Sequence, residues 1–127
     1  MDKFKIIFLL INFLSAFLRI NNLDKIPPSL FADEVDAGYQ AYSFLKTGKD
    51  YHGNFLPLSF QSFADYRTPL FIFSLVPSIA IFGLNEWGVR IPSAFFGVLT
   101  VIGIYFLVKN LGFNKWIGLI ASFLLSI

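Results

Sequence analysis

Long apolar runs separated by short polar clusters dominate the chain, and their lengths set the elements it predicts. Residues 6–18 are thirteen in a row without a charge. With Phe4 added, and with Lys5 and Arg19 snorkelling to the headgroups, the run reaches about a bilayer width, so a first transmembrane helix is expected over 4–20. A cleaved signal peptide would use Lys3 and Lys5 as its basic start, but no A-x-A-like site follows and further apolar runs do. Residues 21–67 break the pattern with Pro27, Pro28, Pro57, three glycines and no run long enough to cross, and they read as an extramembrane loop. Inside it, Val35, Tyr39, Tyr42 and Leu45 recur at helical spacing, which predicts a helix over about 34–46 ended by Thr47 and Gly48. A Tyr-bearing stripe suits a helix lying at the membrane interface, although packing on other protein explains it equally.

Pro69 opens a second expected span over 69–84, with Pro77 inside it as a source of a kink. A polar turn over 85–90 leads to a third span over 91–108, where Ser93 and Gly97 form a small-xxx-small pair. A fourth begins at Trp116 and carries Gly118, Ser122 and Ser126 at the same spacing. The 116–127 segment is too short to cross, so the chain is expected to be the front part of something longer.

Composition sharpens this picture. Of 127 residues 56% are hydrophobic, 17 are Phe and only 14% are charged, which marks a membrane protein. No cysteine is present, which excludes disulfides and thiolate chemistry, and a scattered net charge of +2 excludes a nucleic-acid footprint. Charge also bears on orientation. With a cytoplasmic N-terminus, that side holds Lys3, Lys5 and Arg90, against Arg19, Lys25, Lys46, Lys49, Arg67, Lys109 and Lys115 opposite, and the positive-inside rule taken alone favours the reverse.

Six of the eight acids fall in the loop, three of them together as Asp33, Glu34 and Asp36. Three physical accounts compete. Asp33 could cap the helix with Glu34 and Asp36 in its first turn, where the positive end of the macrodipole favours carboxylates. Asp33 and Asp36, three apart on one helical face, could share a magnesium-like divalent cation with a substrate phosphate, with His52 as a further candidate ligand. Or Asp33 could be a general base at the membrane surface, deprotonating an acceptor hydroxyl while a good leaving group departs.

The ordered series "DEVDAGYQAYSFLKTGKDYHGNFLPL", "YRTPLFIF" and "IFGLNEWGVRIPSAFFGVLTVIGIYFLVK" resembles the N-terminal part of the polytopic GT-C membrane glycosyltransferases. More narrowly, it is similar to the protein mannosyltransferase and aminoarabinose transferase relatives of glycosyltransferase family 39. Asp-Glu follows the first span, Tyr-x-x-Pro opens the second and Gly-x-Arg-x-Pro-Ser opens the third. The resemblance implies an all-α bundle with three full spans, the start of a fourth and an external loop with an interfacial helix. It implies a multi-pass protein, in the inner membrane if prokaryotic, whose partners are membrane lipid and a polyprenyl-phosphate sugar donor.

The same resemblance puts the loop outside, against the charge tally, and implies an inverting transfer of a monosaccharide with Asp33 as base and Glu34 as its acidic partner, the 127 residues alone being inactive. A single displacement needs one base rather than two carboxylates. Relatives commonly carry an acid in the segment just before the proline that matches Pro69. Here Arg67 stands two before it and Asp65 two further back, which weakens any metal site built there. Arg67, with Asp65 and Tyr66 beside it, is the candidate substrate-binding group, since a guanidinium fits phosphate oxygens, although an interface anchor would look the same. Arg90 is expected on the face opposite Asp33, in a structural role. A transporter or a non-catalytic membrane scaffold is the competing class; the absence of ionisable residues from 70–84 and 91–108 argues against transport.

Overall fold

The computed structural model describes residues 3–62 and 65–127. It is mostly helical, in the order α1 (Lys3–Ile20), α2 (Ala32–Thr47), β1 (Phe60–Ser62), β2 (Asp65–Arg67), α3 (Pro69–Phe82), α4 (Glu86–Asn110) and α5 (Lys115–Ser126). Two compact units divide it, one being Asn22–Pro92 and the other gathering α1, α5 and α4 from Ser93 onward.

In the latter unit Ile11, Val101, Tyr105 and Leu119 form the core, with the Phe8 ring tilted against Tyr105 at 4.7 Å between centroids. The small residues of α5 serve close approach, as their spacing predicted. Gly118, Ser122 and Ser126 are buried, and the Ser122 hydroxyl donates to the Val101 carbonyl at 3.1 Å.

In the 22–92 unit α2 packs on α3 around Ala37, Ala41, Phe60, Ile72, Leu75 and Ile79. The polarity of α2 is inverted relative to an ordinary surface helix. It buries Asp36, Ala37, Gly38, Gln40 and Ala41, while Val35, Tyr39 and Leu45 are exposed. Small residues on the inner face let α3 and the start of α4 come close: a Cβ on Gly38 would lie 2.8 Å from Val89 Cγ2. The helix starts two residues before the expected 34, with Phe31 at the N-cap, so Asp33 does not cap it. The phenyl ring offers no acceptor; instead the Phe31 N–H donates to Glu34 Oε2 at 2.9 Å. Gly48, left-handed at φ 70°, ends the helix as the sequence predicted, its N–H bonding the Phe44 carbonyl.

β1 and β2 pair as a two-stranded antiparallel ribbon within the 21–67 loop, where three-residue strands carry no alternating run to read in the sequence. Residues 85–90 are not a turn: Asn85 accepts the Gly88 N–H at 2.9 Å, so α4 begins at Glu86 and carries Pro92 inside it. Among the described residues α4 alone is long and apolar enough to cross a membrane, its 25 residues rising about 37 Å. α3, at 14 residues, rises about 21 Å against a hydrocarbon core of about 30 Å.

Gly88 marks the tightest backbone contact at this junction, since a Cβ there would lie 2.0 Å from the Gly83 carbonyl oxygen. Backbone cannot yield as a side-chain tip can. Gly88→Ala should therefore cost about 2 kcal/mol, seen as a lowered thermal midpoint of the detergent-solubilised protein.

Candidate active site

The site grows from the first turn of α2 and the hairpin that faces it. Helical spacing puts Asp33 and Asp36 on one face. The hairpin supplies their cation. Arg67 pairs with Phe60 in the antiparallel register, and because Phe60 is buried, Arg67 shares the inward face of the ribbon. From there Arg67 Nη2 reaches Asp33 Oδ1 at 2.6 Å and Nε reaches Asp36 Oδ2 at 2.9 Å. Two carboxylates thus share one guanidinium, whose pKa they push up further, the Asp33 hydrogen bond most strongly.

The two acids differ sharply in environment. The Asp33 side chain is 65% exposed and that of Asp36 only 4%. A buried carboxylate is tolerated when both oxygens are satisfied, and the second oxygen of Asp36 accepts the Tyr51 hydroxyl at 2.8 Å. The Gln61 carbonyl is also near that hydroxyl at 3.1 Å, but its single proton favours the charged acceptor. Burial, then the Asp36 carboxylate, pushes the Tyr51 phenol up to about 12, so it stays a donor at any physiological pH. A turn fixes Tyr51: Asp50 Oδ1 accepts the Asn54 N–H at 2.7 Å. Gln40, one turn beyond Asp36, donates to the Gln61 carbonyl at 2.8 Å and ties β1 to α2.

Glu34 points elsewhere. Its oxygens accept Arg90 Nε at 2.9 Å and Nη2 at 3.0 Å. The remaining Arg90 donors hold the carbonyls of Leu23, Pro27 and Ser29. Arg90 was expected on the face opposite Asp33 and is instead bonded to the residue next to it. α3 packs along α2 and ends at Gly83, so the start of α4 that follows it brings Arg90 back beside Glu34.

Arg90's hydrogen bond holds the Glu34 carboxyl below its usual 4.5, against an opposing push from burial and with help from the Phe31 N–H. A pKa lowered on folding means the unfolded chain binds the extra proton first. This stabilisation is therefore complete above about pH 4.5 and is lost as pH falls through the folded-state value. Thermal midpoints measured from about pH 6 down to about pH 3 should drop more steeply for the wild type than for Glu34→Gln.

Asp65 and Tyr66 do not join the cluster. The Asp65 carboxylate accepts the Tyr66 N–H at 2.7 Å, and Tyr66, one residue out of phase with Arg67 on the ribbon, is exposed. Of the three substrate-binding candidates, Arg67 alone meets the acids. It also occupies the position between Asp33 and Asp36 that the divalent-cation account gave to a metal, and among the described residues no group of three metal-ligating side chains occurs. Beside the exposed face of α2 lies a cleft of about 540 Å³ walled by Leu30, Ala32, Val35 and Tyr39, with Asp36, Tyr51 and His52 as its polar members. Tyr51 escaped the sequence reading because nothing in the order of residues shows that a loop aromatic fifteen positions on folds back to Asp36.

A family model described as dolichyl-phosphate-mannose-protein mannosyltransferase matches residues 9–127. No curated protein and no solved structure matches the chain.

Proposed function

Given that the chain belongs to the dolichyl-phosphate-mannose-protein mannosyltransferase family, whose members are integral-membrane glycosyltransferases, we propose that it supplies the base for sugar transfer from a polyprenyl-phosphate donor to an acceptor outside the membrane. The observation that carries this reading is the pairing of an exposed Asp33 with an Arg67 that buried Asp36 holds in place. An exposed carboxylate can reach substrate, and an anchored partner keeps it oriented. The acceptor's O–H proton passes to Asp33, the acceptor oxygen bonds to the anomeric carbon, and the carbon–oxygen bond to the phosphate breaks with its electron pair leaving on the phosphate. One displacement inverts the anomeric centre.

Arg67 uses two of its five N–H donors on the acids, and the others suit an oxygen of the donor substrate. Asp65 and Tyr66 border that substrate from β2. Glu34 supports the base indirectly by locking the first turn of α2 to Arg90. The acids lie in the loop over 21–67, which stands on the external side of the membrane.

Membranes holding the full-length protein should consume radiolabelled dolichyl-phosphate mannose and pass label to an acceptor. Label that stays on the lipid in wild-type membranes, as in membranes lacking the protein, overturns the reading.

A further inference from the structure

We propose that Asp36 is the positioning carboxylate of this site, holding Arg67 against Asp33, and that the Tyr51 hydroxyl fixes Asp36 in turn. The inference rests on Asp33 being the base. Asp33 stands in the first turn of α2 with its side chain 65% exposed, so left alone it would sample several rotamers. A base must sit within hydrogen-bond reach of the proton it takes, and misplacement by about 1 Å can cost about 10²-fold. Arg67 restrains it, but a guanidinium on a long chain restrains nothing unless its own plane is fixed.

Asp36 does that fixing. It binds Nε, the nitrogen nearest the stem, at 2.9 Å, which sets the plane and leaves the Nη2 edge directed at Asp33. Its other oxygen takes the Tyr51 hydroxyl at 2.8 Å, so the carboxylate cannot rotate without losing a charge-assisted bond. The chain Tyr51–Asp36–Arg67–Asp33 thus runs through Asp36, whose side chain is 4% exposed, to an exposed reactive end, with every link between 2.6 and 2.9 Å. Glu34, adjacent in sequence and the obvious second acid, bonds Arg90 and plays no part in it.

A purely structural role for Asp36, pinning the hairpin to α2, predicts lost stability and a proportional loss of folded enzyme. A positioning role predicts coupling to Asp33. The test uses full-length enzyme in lipid nanodiscs, radiolabelled dolichyl-phosphate mannose as donor, and rates normalised to folded protein. Asp36→Asn should lower kcat about 10-fold with the donor KM within about two-fold, and Tyr51→Phe, which removes one oxygen and preserves the packing, about three-fold. In an Asp33→Asn background, both substitutions should change the residual rate by less than about two-fold, because groups acting as one unit are not additive. Equal fold losses in both backgrounds overturn the inference while leaving Asp33 as base. If Asp36→Asn does not fold, Tyr51→Phe decides alone. Wild-type rates from Asp33→Asn, or no donor consumption by the wild type, overturn the functional reading and this inference with it.

Discussion

Replacing Arg90 by methionine is expected to destabilise the 22–92 unit by about 3 kcal/mol. The side chain is 7% exposed and makes five hydrogen bonds, two to Glu34 and three to the carbonyls of Leu23, Pro27 and Ser29. The segment between α1 and α2 has no regular structure to satisfy those carbonyls, so Arg90 does the work that a sheet or helix ladder does elsewhere. Methionine matches the stem's volume but leaves a carboxylate and three carbonyls without their donor. Because Glu34 is 31% exposed, water recovers part of its loss, which places the cost at the lower end for a broken buried pair. Lysine should recover only a part, for its ammonium cannot span a carboxylate and three carbonyls in one plane. Trp87, one turn from Arg90, reports unfolding when Trp116 is replaced by Phe. In that background the Arg90→Met midpoint should fall by at least about 10 °C, and a fall under about 3 °C contradicts the assignment.

The same arginine shows what the sequence discloses and what it withholds. Helical segments were legible wherever apolar runs or turn chemistry bounded them: Gly48 ended α2, Pro69 opened α3, and the small residues of α5 announced a close approach. The acidic trio and Arg67 were legible as chemistry, and the family was legible from the order of motifs. Pairing was not. Whether Arg90 meets Glu34 depends on how α3 packs along α2, and the apolar run over 69–84 does not disclose that neighbour. Hydropathy reports what a segment can be buried in, not which neighbour buries it. Inversion of α2 hid the site for a related reason. A helix normally turns its large apolar side chains inward, whereas α2 turns Asp36 and Gln40 in among Ala and Gly, so the pattern paired Asp36 with Asp33 on one face without disclosing that Asp36 is buried. Strands of three residues, and a tyrosine brought back by the 50–54 turn, lie below what periodicity resolves.

Asp33→Asn in the full-length enzyme is expected to lower transfer by about 10²-fold or more, the usual consequence of removing a general base. The substitution is close to isosteric. An amide oxygen can still accept from Arg67, and Arg67 keeps its ion pair with Asp36, so no buried charge is orphaned. With a side chain 65% exposed, Asp33 contributes little to stability, and the melting temperature should stay within about 3 °C of wild type. Loss of rate without loss of fold separates a reacting group from a structural one, and Arg90 supplies the opposite pattern for comparison. The deciding measurement is the initial rate of label transfer from radiolabelled dolichyl-phosphate mannose by wild-type and Asp33→Asn enzyme, at equal folded concentration in the same nanodiscs. A drop of about 10²-fold or more is the predicted result, and transfer within about three-fold of wild type contradicts the account.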